Sequence, residues 1–334
     1  MGLSGLTFYV FLSLVSCFAF AFADIYGADN RVQVYHGDNS IMHKKSSAVA
    51  VGVLNSLWER NEDTSFRLEY IEEEIHGLCS DERFSDNPSI PYACTGFLVG
   101  PDLLVTAGHC SVNSGEIFNA TDKYCEAYTW LFDYQYKRGG EIDTINIDKD
   151  RIYKCKQIIY ASFDGVKDFA LIQLDRPVSN RSYLTLATKE LRPRDRVNVL
   201  GYPTGMPLKR APGRVLDKNE DLYIINADAM AGNSGSPVLN TENEVIGVLI
   251  GGRPNEIFYK DQKKGCNRFN RCNNRGQNCK AGNKENLAFP KTGVEVFRFD
   301  QLYDIKVLSK VNSPDRLESF STVNPFNPYK PFQH

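Results

Sequence analysis

The sequence predicts an all-β fold of barrel or sandwich type, and three observations carry it. Short β-type runs recur along the chain, Gly and Pro punctuate them at regular intervals, and few stretches keep a helical period. In order, the runs are "AVAVGVL", "TGFLVG", "LLVTAGH", "YTWLFDYQY", "DFALIQL", "VNVLGY", "LYIINA", "SPVL" and "EVIGVLIGG". One charged stretch, "SFRLEYIEEEIHG", is expected to form an early helix. No internal repeat is present.

The first 23 residues form an expected signal peptide. The run "LTFYVFLSLVSCFAFAFA" closes on Ala21, Phe22 and Ala23, the small-x-small pattern cut by signal peptidase, here before Asp24. No Lys or Arg precedes the run, and its 18 residues could just span a bilayer, so an uncleaved anchor is the alternative. Cleavage would leave 311 of 334 residues, enough for one large domain or two small ones. That domain is expected over 24–304, with a basic, cysteine-rich loop at 260–285 and a disordered tail at 305–334. The expected location is extracellular.

With 39 basic and 41 acidic residues the net charge is −2, so no global field holds nucleic acid or an anionic membrane. Neither partner is expected once the signal is gone. The basic loop, Lys260 to Lys284, could bind polyanions, but such charge runs commonly form a solvated face. Sequons stand at Asn119 and Asn180.

Eight cysteines follow the signal segment, an even number that implies disulfides in an exported chain. Cys94 and Cys110, 16 residues apart, bracket an apolar hairpin in "CTGFLVGPDLLVTAGHC", where a bridge would pin His109 to a strand. Cys125 with Cys155 is a further suggested pair. Cys266, Cys272 and Cys279 lack zinc-type spacing and a nearby histidine, so bridges are expected and no metal.

Three motifs bear on chemistry. "TAGHC" holds His109, "KDFALIQLDRP" opens a strand on Asp168, and "AGNSGSP" sets Ser234 between Gly232 and Gly235. Singly, each has an ordinary reading as an incidental histidine, a strand-end cap and a turn. Together they occur in the order histidine, aspartate, serine, as one kind of nucleophilic triad requires. At this point the chain resembles the chymotrypsin-fold serine endopeptidases. "GNSGSP", "GYPTGMPLK" and "IYGADNRVQVY" are similar to the glutamyl-endopeptidase-like branch, and the resemblance runs from about Ile25 to about Asp300.

The resemblance implies two six-stranded antiparallel β-barrels with a site between them, no cofactor, polypeptide substrates and a monomer. It implies that Ser234 is the nucleophile, His109 its base and Asp168 the group that orients the imidazole. The backbone N–H groups of Gly232 and Ser234 would form the oxyanion hole. Asn233 replaces the aspartate that trypsin-type zymogens pair with a new N-terminus, so that activation route is closed.

The specificity residues depart from the glutamate-specific pattern, since Leu249 and Ile250 stand where those enzymes carry histidine and tryptophan, ahead of Gly251. Asp228, six residues before Ser234, takes the pocket-floor position of trypsin-like enzymes. If its carboxylate lacked an internal partner, a substrate Arg or Lys would supply one. The alternative function is a catalytically silent binding protein on a protease scaffold, whose usual mark is a lost triad residue.

Overall fold

The structure is a computed structural model that describes residues 24–36, 41–61, 65–68, 77–111, 117–118, 125, 127–163, 167–252, 257–281 and 293–299. The expected signal peptide, the tail beyond residue 304, Asn119 and most of the expected early helix lie outside them. Phe66–Leu68, at the start of that expected helix, is instead a strand paired with Trp58–Arg60. The edge of Phe66 meets the Trp58 ring at 6.1 Å, so a cross-strand partner overrides the local helical pattern.

Twelve strands build two closed barrels. The first six are β1 (Val49–Leu54), β2 (Cys94–Leu98), β3 (Leu103–Thr106), β4 (Tyr128–Phe132), β5 (Ile152–Phe163) and β6 (Asp168–Leu174). The second six are β7 (Arg196–Gly201), β8 (Lys209–Lys218), β9 (Leu222–Ile225), β10 (Pro237–Leu239), β11 (Val245–Gly252) and β12 (Val294–Arg298). Around the first barrel the order is β1-β2-β3-β6-β5-β4, closing on β1; around the second it is β7-β8-β9-β12-β11-β10, closing on β7. Both halves repeat one antiparallel topology, and closure removes the free edges an open sheet would expose. Short strands, Ile117–Phe118 and Val32–Gln33, extend the two sheets.

Apolar runs place the cores. "DFALIQL" is buried at every position, and β1 is buried at all but its last. Strands covered on both faces read as continuous apolar runs, whereas one face in water gives alternation. One cluster fills the first barrel and reaches across the junction to Leu239, Val248, Phe297 and Phe299. A second, including Val199, Ile225, Leu249, Val294 and Val296, fills the second barrel. At the junction Phe169 stacks on Phe297, with centroids 6.0 Å apart and planes at 12°, and meets Phe299 edge-on at 6.4 Å. Aromatic pairs of this kind add about 0.5–1.5 kcal/mol beyond burial. Phe169 follows Asp168 in sequence, so this packing fixes the strand end that carries the aspartate.

Four disulfides join Cys79–Cys266, Cys94–Cys110, Cys125–Cys155 and Cys272–Cys279. The three cysteines of the basic loop are therefore all bridged. Asp24, Cys272 and Cys279 lie close together, but a disulfide leaves no thiolate to ligate a metal. Among the described residues no helix is long and apolar enough to cross a membrane.

Candidate active site

His109 sits in a single 3-10 turn, Gly108–Cys110, just beyond β3. Its neighbour Cys110 is bridged to Cys94, the first residue of β2. Asp168 opens β6, opposite Phe163 at the end of β5, and is 6% exposed. Its carboxylate holds the histidine at two points, with Oδ1 accepting the His109 backbone N–H at 2.9 Å and Oδ2 facing Nδ1 at 2.8 Å. A carboxylate offers only acceptors, so the ring donates Nδ1–H and keeps the lone pair of Nε2. The ring also lies 5.7 Å from that of Phe163, which restricts its swing.

Ser234 lies in a turn between the barrels and is 4% exposed. The Thr95 N–H, from β2, donates to the Ser234 carbonyl at 2.7 Å, and the Thr95 hydroxyl donates to the Gly232 carbonyl at 2.7 Å. On the other side the Gly235 N–H donates to the Leu249 carbonyl of β11 at 2.7 Å. Cys110 Sγ rests 3.9 Å from the Ser234 carbonyl oxygen. The serine turn and the histidine turn are thus fastened to the same end of β2, one through Thr95 and the other through the Cys94 bridge.

Gly232 and Gly235 have φ of +93° and +88°, backbone regions that side chains rarely enter. The conformation of Gly232 has a consequence for its amide. The Ala231 carbonyl, on the same peptide, accepts the Thr204 N–H at 2.5 Å. In a trans peptide C=O and N–H point in opposite directions, so the Gly232 N–H is turned away from Thr204. Neither it nor the Ser234 N–H has an acceptor among the described residues.

Residues 94–248 match the family profile of the trypsin-like peptidase domain. Those residues therefore carry a trypsin-like peptidase domain, within a chain built as two six-stranded barrels. Solved structures similar to it include a Glu endopeptidase in complex with MPD, at 16% identity and TM-score 0.45, covering 73% of this chain and 91% of that one. A serine-to-alanine mutant of Rv3671c from M. tuberculosis, in its inactive form, is similar at 15% identity and TM-score 0.43, covering 84% and 94%. A serine endoprotease from Yersinia pestis is similar at 12% identity and TM-score 0.43, covering 82% and 66%.

The remaining expected site residues divide. Leu249 is buried in the core of the second barrel, while Ile250 is half-buried at the junction and Gly251 continues the half-exposed end of β11. Asp228 corrects its sequence reading. It is 1% exposed, and its two oxygens accept the N–H groups of Tyr26 at 2.7 Å and Asn30 at 2.9 Å. The carboxylate is satisfied by the N-terminal segment rather than left for a substrate cation. Burial pushes its pKa up to about 6, the two amides pulling the other way.

The segment it holds continues into Arg31, which is fully buried, paired with Asp29 at 2.7 Å and set over the Phe269 ring at 4.4 Å. Sequence reasoning missed both this ion pair and Lys209, 2% exposed, whose ammonium donates to Asn87 Oδ1 at 2.7 Å and the Pro207 carbonyl at 2.8 Å. Burial lowers the Lys209 pKa well below the ordinary lysine value.

Proposed function

We propose that this peptidase is secreted and cleaves polypeptides through a Ser234, His109, Asp168 triad and an acyl-enzyme. The observation that carries the reading is the two-point grip of Asp168 on His109, next to a serine turn tied through Thr95 to the strand that the histidine's own disulfide joins.

A serine hydroxyl is a weak nucleophile at neutral pH, so a base must take its proton as it attacks the scissile carbonyl. With Nδ1–H committed to Asp168, Nε2 is the atom left for that role; it later returns the proton to the departing amine. Asp168 fixes the tautomer and offsets the charge of the imidazolium. The Gly232 and Ser234 amides, without internal acceptors, are the donors for the negative oxygen of the tetrahedral intermediate. One such donor is worth roughly 2.7–4 kcal/mol of barrier. Water then repeats the sequence on the acyl-enzyme.

Four disulfides support an oxidising compartment, as the N-terminal apolar run does. The near-neutral charge offers no field to hold nucleic acid or an anionic membrane, which leaves polypeptides as the partners. The Arg or Lys preference expected from Asp228 loses its physical ground, because that carboxylate already has two partners. Treating the purified protein with a fluorophosphonate should abolish its hydrolysis of a fluorogenic peptide library. Hydrolysis continuing at the full rate would contradict a serine mechanism.

A further inference from the structure

Strand β12 presents two faces. Val294 and Val296 turn into the core of the second barrel, whereas Phe297 packs with the first-barrel cluster and stacks on Phe169, the residue after Asp168. Side chains alternate along a strand, so Glu295 shares the face of Phe297 and looks toward the junction that holds Asp168 and His109. Its partner across the ladder is Gly251, brought onto that face by a bulge between Leu249 and Gly251. A β-carbon added to Gly251 would meet Glu295 Oε2 at 3.9 Å, so the carboxylate lies directly over the bare backbone of the β11 end.

Glu295 is half-buried, and its carboxylate has no hydrogen bond or ion pair among the described residues. Burial raises its pKa, and the negative Asp168 raises it further. A carboxylate withdrawn from water without a cation is unfavourable, and a ligand cation that supplies the missing charge is bound selectively. Ile250, Gly251 and Gly252 form the half-exposed end of β11, beside the proposed triad.

Resting on the proposed triad, we infer that Glu295, across the bare Gly251, selects substrates carrying an Arg or Lys side chain at the subsite above Gly251. The acidic group that sets specificity is thus supplied by β12, far along the chain from the serine motif.

The test is a fluorogenic peptide library in which each of the four positions before the cut bond carries Arg, Lys, Gln or Leu. It is run with the full chain as wild type, E295Q and E295D. At one position the wild type should prefer Arg or Lys over Gln by about a hundredfold in kcat/KM, as expected for a desolvated charge pair. E295Q should reduce that ratio to within about threefold, and E295D should restore part of it, on the same charge logic. Thermal unfolding of each variant reports whether the fold is kept.

A wild type that hydrolyses the library without charge preference, or E295Q retaining the preference, would overturn the assignment. Arg253 stands two residues after Gly251 in sequence. A basic preference that appears only in R253A would equally overturn it, since Glu295 would then be neutralised within the chain. A wild type that neither cleaves peptides nor reacts with a fluorophosphonate would instead remove the triad reading beneath it.

Discussion

Replacing Asp228 by asparagine keeps the shape of a buried side chain and removes its ability to take up a proton. In the native protein the carboxyl pKa is raised from the ordinary 3.8 to about 6, with burial the first cause and the Tyr26 and Asn30 amides opposing it. Between those values the folded chain binds more protons than the unfolded one, so the contribution of Asp228 to stability is fully present below pH 3.8 and is lost as pH rises through about 6. The interval corresponds to about 3 kcal/mol. Asp133 and Asp143 have lowered pKa values and act in the opposite sense, but they are common to both proteins and cancel in the difference. Urea unfolding of wild type and D228N at pH 4, 5, 6 and 7 should show the wild type gaining, relative to the variant, most of that about 3 kcal/mol as pH falls from 7 to 4. The asparagine also loses one of the two amide bonds, a pH-independent penalty of about 1–3 kcal/mol. A difference that stays flat, or shrinks toward acid, would refute the burial account.

Asp168→Asn should lower kcat by about 10⁴ with unfolding unchanged within about 1 kcal/mol, because the amide favours the wrong histidine tautomer; full activity would sever Asp168 from the mechanism. Gly232→Ala places a β-carbon into the Tyr202 carbonyl at a φ of +93°, so acylation should slow by at least about 10² as the amide is displaced. Replacing Cys94 and Cys110 together by alanine should cost about 3 kcal/mol in denaturant unfolding, given a loop of 16 residues.

Local pattern and distant partners account for what was legible in the sequence. Strands such as "DFALIQL" announce themselves because a run buried on both faces is apolar throughout. His109, Asp168 and Ser234 stood out because each sits in a short motif, and the structure brings His109 against Asp168. Cys94–Cys110 and Cys125–Cys155 were also foreseen, being close in sequence. Asp228 could not be read correctly, since the amides that satisfy it come from residues 202 and 198 positions earlier. Lys209 and Arg31 look like ordinary surface cations until loop packing encloses them. Glu295 reads as one polar residue in an alternating strand. Its role depends on ladder register and on the bulge before Gly251, neither of which leaves a mark in local sequence.

The central claim is that Ser234 is the nucleophile, activated by His109. Labelling the purified protein with a fluorophosphonate and mapping the adduct by peptide mass spectrometry tests it most directly. The modification should fall on Ser234 alone, disappear in S234A with thermal unfolding unchanged, and form far more slowly in H109A. An adduct on another residue, or undiminished labelling of S234A, would contradict the account.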